Sequence, residues 1–243
     1  MFSLFRKEIT SFLSSLSGFV VIIVFLIASG LFLWVFKGDL NIIDSGYSTL
    51  EPLFLLAPWI FLFLIPAITM RMFAEEKKSR TMELLLSRPL SDMQIVLAKY
   101  LAAMVLVLLS ILPTLIYFYS VSRLSSPPGN IDTGGTWGSY AGLIFLAGIY
   151  TAIGIFISSL TENQIVSFII SLILCFMFYI GFDYLASLDV FSGISAFIIR
   201  LGINEHYLSM SRGVLDTRDM LYYLSVIVIF LLLTKIVLQS RQW

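Results

Sequence analysis

Six long apolar stretches alternate along the chain with short polar connections. Residues 19–36, 53–70, 93–119, 140–160, 165–182 and 220–238 hold at least eighteen residues each, and the only charges among them are Lys99 and Lys235. Eighteen helical residues extend about 27 Å, enough to cross the hydrocarbon of a bilayer. The pattern predicts an all-α, polytopic membrane protein with six transmembrane helices. Before the first stretch, Phe2, Phe5, Ile9, Phe12, Leu13 and Leu16 recur at steps of three and four, with Arg6, Lys7, Thr10, Ser14 and Ser15 between them. That spacing predicts an amphipathic interfacial helix over 2–16, lying in the headgroup plane and ending at a turn at Ser17-Gly18.

The connections carry their own signals. Lys37 to Glu51 is polar and reads as a loop, and Arg123 to Ser139, with Pro127-Pro128-Gly129 and Gly134-Gly135, reads as a flexible one. Thr161 to Gln164 is so short that the fourth and fifth spans must form an antiparallel hairpin. Val190 to Leu201 has twelve residues with Arg200 as its one charge; at about 18 Å it is too short to cross, which predicts a re-entrant or interfacial segment. Pro58, Pro66 and Pro113 predict kinks. Gly142, Gly148 and Gly154, six residues apart, suit close helix contacts.

The longest charged segment between two spans is Arg71 to Asp92. It holds Arg71, Glu75, Glu76, Lys77, Lys78, Arg80, Glu83, Arg88 and Asp92, nine of the chain's thirty charged residues. A charge at the bilayer centre costs at least about 2.5 kcal/mol, so this segment is read as facing water. Met82, Leu84, Leu85, Leu86 and Leu90 alternate with its charges at helical spacing, which predicts a short helix against the membrane edge.

Composition sharpens the class. Hydrophobic residues make up 59% and charged residues 12%, about half the charged share of a soluble domain. Formal net charge is zero, which gives no argument for nucleic acid. The distribution is informative: with six spans, the side bearing the termini and 71–92 has ten basic and six acidic residues, and the other side five and nine. The positive-inside rule puts the +4 side, with both termini, in the cytoplasm. The first apolar run continues past Gly30 without a small-residue cleavage site, so it reads as an uncleaved span.

Candidate chemistry is sparse. Cys175, the one cysteine, lies within an apolar run and excludes an internal disulfide. His206, the one histidine, reads as a solvated loop residue, because a zinc site needs three or four ligands. No phosphate-cradling glycine loop is present, and the spans hold no Asp or Glu, which disfavours a nucleotide site and a proton-coupled pump. Lys99, near the start of its span, is expected to snorkel to the surface. Thr69, Ser110, Thr114, Thr151, Ser167, Ser171 and Tyr179 read as packing residues. No nucleophile has a base at a suggestive spacing, which disfavours an intramembrane enzyme.

The run from Glu75 to Pro89 resembles the segment between the second and third spans of ABC-2 type transporter permeases, roughly E-x-x-x-G-T-x-E-x-L-x-x-x-P. The family's usual glycine is Arg80 here. The six-span order, the interfacial helix and the re-entrant outer segment are similar too, and Arg212 to Asp219 matches the gliding-motility-associated branch. The resemblance spans the whole chain, 1–243, as a single transmembrane domain. It implies a non-enzymatic permease subunit that binds no cofactor itself and draws on ATP and Mg in a separate cytoplasmic ABC ATPase, GldA-like in that branch. It implies a second membrane subunit with a large extracytoplasmic domain (GldG-like) or a second permease copy, in a bacterial inner membrane. It makes 71–92 the coupling segment, with Glu75, Glu76, Ser79, Arg80, Thr81, Glu83 and Leu84 against the ATPase. The second and fifth spans would face the partner permease. The competing reading from another class is a structural membrane anchor without transport activity.

Overall fold

A computed structural model describes residues 1–83, 90–191, 193–213 and 216–240. All regular structure among them is helical: α1 (Phe2–Leu13), α2 (Leu16–Gly30), α3 (Ile42–Ser45), α4 (Glu51–Thr69), α5 (Ala74–Lys78), α6 (Asp92–Ile111), α7 (Leu115–Leu124), α8 (Thr133–Leu160), α9 (Gln164–Phe176), α10 (Phe182–Ala186), α11 (Ser195–Ile199), α12 (Ile203–Ser211) and α13 (Thr217–Gln239). A π turn, Leu31–Val35, extends α2, and another, Met177–Gly181, joins α9 to α10. Six of the resulting rods are long and apolar enough to cross a membrane.

Several local boundaries differ from the expected ones. The break between α1 and α2 falls at Ser14-Ser15, not Ser17-Gly18, because Ser14 and Ser15 turn their hydroxyls back onto the carbonyls of Thr10 and Phe12. Gly18 is needed one turn later, where a Cβ would collide with the Phe12 carbonyl. Pro58 and Pro66 sit inside α4, which continues through both. At Pro113 the helix tightens into a 3-10 turn, Leu112–Thr114. The fourth span starts at Thr133, so Gly134-Gly135 is not a flexible loop but its first turn. Asp132 caps that turn by accepting from the Gly135 N–H at 2.9 Å. A Cβ on Gly213, which is held at φ +82°, would collide with the Gly135 backbone, and one on Gly138 with the Gly213 backbone.

At the centre stands α8, with 78% of its most apolar eighteen residues buried, against 22% for the rods of α2 and α9. It packs on α4, α6, α9, α12 and α13. Six residues advance an α-helix by about 600°, so successive members of the glycine series point about 240° apart. Gly142 accordingly meets Met210 of α12, Gly148 meets Ile227 of α13 and Tyr100 of α6, and Gly154 meets Thr69 of α4. Four helices thus reach the backbone of α8 on three faces. The bundle's rim stays apolar, with Ile23 and Ile27 of α2, Ile169 and Ile173 of α9 and Val228 and Ile236 of α13 exposed.

Candidate functional site

The charged segment 71–92 begins where α4 ends. Its short helix α5 has Glu75 and Glu76 in the first turn and Lys77 and Lys78 in the last, the order the helix dipole favours. Two contacts staple it to the end of α8. The Phe73 and Ala74 N–H groups both donate to Ser158 Oγ, at 3.0 and 3.2 Å, and the Ser158 hydroxyl donates to the Met70 carbonyl at 3.0 Å. The Lys77 ammonium donates to the Ser159 carbonyl. These bonds satisfy backbone groups that the helix ends would otherwise leave open.

The helix closes with a Schellman turn. The Thr81 N–H donates to the Glu76 carbonyl at 2.9 Å and the Arg80 N–H to the Lys77 carbonyl at 3.0 Å. Arg80 is left-handed, with φ +58°, and is the one non-glycine residue with positive φ among those described. The family pattern has glycine at this position because a left-handed C′ residue without Cβ is unstrained; here an arginine adopts the same conformation.

Beneath α5 lies an ionic cluster that ties three elements together. Lys99 of α6 is 1% exposed. Its Nζ donates to the Met72 carbonyl at 2.7 Å and to Glu8 Oε1 at 3.3 Å, and stands 3.0 Å from Glu76 Oε2. That last contact lies outside hydrogen-bond angles and counts as a charge contact alone. The Phe73 ring lies 5.0 Å from the ammonium. Lys7, on α1, reaches both carboxylates, Glu8 at 3.2 Å and Glu76 at 3.4 Å. Partial burial works to lower the Lys7 pKa; the neighbouring Glu8 and Glu76 more than offset it, so the ammonium ends above its ordinary value.

One expectation is corrected here. Lys99 does not snorkel outward: its stem runs into the bundle, because two carboxylates and a carbonyl are arranged to receive the charge. On α1, Leu4, Glu8 and Phe12 form a ridge at four-residue spacing that packs on α6 and buries the acid. A glutamate on an otherwise apolar ridge was the available signal for Glu8. Among the predicted contacts, Glu76 turns inward, while Glu75, Ser79, Arg80, Thr81 and Glu83 are exposed and Leu84 lies outside the described residues, as does most of the helix expected over 82–90. Between α1, α5 and the start of α6 is a cavity of about 340 Å³ lined by Glu75, Glu76, Ser79 and Thr81 together with Lys7, Glu8, Arg71 and Lys99.

At the other end of the bundle, His206 is not a solvated loop residue. Its Nδ1 lies 2.7 Å from Asp219 Oδ1, its Nε2 lies 2.9 Å from the Arg200 carbonyl, and its ring stacks on Tyr222 at 4.0 Å. The segment 183–213 forms a turn and short helices, with Val190, Ile194 and Phe197 exposed. Among the described residues, no three His, Cys, Asp or Glu side chains stand close enough to share a metal ion. Of the hydroxyls within the spans, Thr69, Ser110 and Thr114 donate to carbonyls in their own turns, whereas those of Thr151, Ser167 and Ser171 are buried without a partner.

A bundle of six apolar rods, each long enough to cross a membrane, is the architecture of a multi-pass membrane protein. The chain matches the family described as ABC-2 family transporter protein over residues 3–239, and it belongs to that family. It is therefore the membrane component of an ABC transporter, with an ABC ATPase as partner. Among curated proteins, none matches.

Proposed function

We propose that this permease couples ATP hydrolysis in a cytoplasmic ATPase to export or mechanical work, through a rigid lever made of α5, the end of α8 and the ionic cluster. The supporting observation is the Lys99 cluster: one buried ammonium joins α1, the coupling segment and α6, so a push on α5 moves three elements as one body. The exposed Glu75, Ser79, Arg80, Thr81 and Glu83 form the docking rim, with Leu84 continuing it in sequence. ATP and Mg belong to the ATPase. The charge asymmetry supports an inner-membrane orientation with both termini in the cytoplasm. On the rim, α1 lies at the headgroup level and 190–201 dips into the outer leaflet.

The second copy, or a GldG-like subunit, packs against α4 and α9, whose exposed Trp59, Phe63, Ile169 and Ile173 support a helix-packing face. Arg212 to Asp219 supports a place in gliding motility, as a GldF-like subunit beside a GldA-like ATPase. The test is ATPase stimulation in the reconstituted complex. Charge reversal by Glu83→Lys or Arg80→Glu is expected to abolish stimulation while the complex stays in the membrane; unaltered turnover would leave only an anchoring role.

A further inference from the structure

A proline inside a helix leaves the carbonyl four residues back without its N–H. In α4 the carbonyl that Pro58 releases is that of Phe54, and a distant side chain takes it up: the Tyr207 hydroxyl of α12 donates to it at 2.7 Å. Tyr207 is buried, and its partner lies 153 residues earlier in the chain. Within an apolar span a carbonyl without a donor is costly, so the phenol binds where the helix has a fault to be repaired. The Phe54 ring is held as well, edge-on to Tyr140 of α8 at 5.0 Å. The Tyr140 hydroxyl in turn lies 3.0 Å from that of Thr114, in the 3-10 turn at Pro113.

Position gives this bond a use. Helices α4 and α5 belong to one rod, Glu51–Lys78, with Phe54 near one end and Glu76 near the other, about 30 Å apart along the axis. At the Phe54 end, α12 is seated on α8, with Met210 against Gly142 and the Ser139 hydroxyl donating to the Ser211 carbonyl at 2.8 Å. Tyr207 adds the tie from α12 to α4. We infer that Tyr207 latches α12 to the proline break of α4, so that a displacement of α5 at one end of the rod is delivered to α12 at the other. The inference rests on the coupling role proposed above for α5. It makes Tyr207 a positioning residue, which acts through the Phe54 carbonyl at the end of the rod remote from the ATPase rim.

Two measurements on the full chain test this. In the detergent-purified permease, Tyr207→Phe should lower the melting temperature by about 2–4 °C, since the Phe54 carbonyl loses its donor. In a Pro58→Ala background, where the restored backbone N–H bonds that carbonyl, the same change should cost less than about half as much. Equal losses in the two backgrounds overturn the latch. In the complex reconstituted with its ATPase, hydrogen exchange of α12 should differ at least about twofold between the nucleotide-free state and the state trapped with ATP and orthovanadate. Tyr207→Phe should abolish that difference and leave ATPase stimulation within about twofold of wild type. Tyr222→Phe, in which the lost bond goes to the Leu201 carbonyl instead, should keep the difference. A difference that persists in Tyr207→Phe overturns the inference, as does a wild type whose ATPase is stimulated without any change in α12. A wild type without stimulation overturns the coupling reading instead, and the melting cycle, which needs no ATPase, still decides the tie.

Discussion

Lys99 and Glu76 form an ion pair, 3.0 Å apart, that joins the third span to the charged segment 71–92 with the ammonium 1% exposed. Removing one partner of such a pair strands the other charge. Lys99→Met should therefore destabilise the protein by about 3–5 kcal/mol, read as a lowered melting temperature in detergent. The triple variant Lys99→Met, Glu8→Gln, Glu76→Gln should recover much of that loss, since no buried charge is left unpaired. Equal melting of the single variant and wild type would show that the cluster holds nothing together.

The same cluster fixes a pH response. Lys7 has a raised pKa in the folded chain, so its pairing is complete below the ordinary value of 10.5 and is lost only as pH rises through the higher folded value. Melting temperature should hardly respond to Lys7→Gln differently between pH 7 and 9; a difference growing across that range would contradict the assignment.

Arg80 offers a substitution that separates turn geometry from docking. Because it is left-handed, Arg80→Gly should stabilise the α5 turn by about 1 kcal/mol. If the side chain contacts the ATPase, the same variant should lower ATPase stimulation even as melting temperature rises. Stimulation that follows stability would assign Arg80 to the turn alone.

Gly154 lies so close to Thr69 that an added Cβ would collide with the Thr69 hydroxyl, which is held on the Ile65 carbonyl at 2.9 Å. Gly154→Ala should destabilise by about 1–3 kcal/mol, and Thr69→Ala should restore part of it in the double variant. Additive losses would mean that the two helices do not meet there.

His206 ties α12 to α13 through Asp219, whose second oxygen is already buried without a partner. His206→Ala should remove about 1–3 kcal/mol, with hydrogen exchange rising first around Arg200 and Leu201, since the imidazole also holds the Arg200 carbonyl. Unchanged exchange in that segment would argue against the tie.

Hydrophobic runs of eighteen residues or more determined the number of spans and the all-helical class, because a bilayer leaves the backbone of such a run no alternative to bonding within its own helix. The charged segment 71–92 was legible for the same kind of reason, since polarity is local in sequence, whereas helix α5 and the left-handed turn at Arg80 were not expected. The direction in which a side chain points was not legible. Lys99 near a span end reads as a snorkelling residue until Glu8, ninety-one residues earlier, is seen beside it. Likewise the series Gly142, Gly148 and Gly154 suggests close helix contacts, and only the packed bundle assigns them to four partner helices on three faces. Length and polarity act residue by residue along the chain, whereas charge pairing and helix contact depend on which distant surfaces the fold brings within a few ångströms.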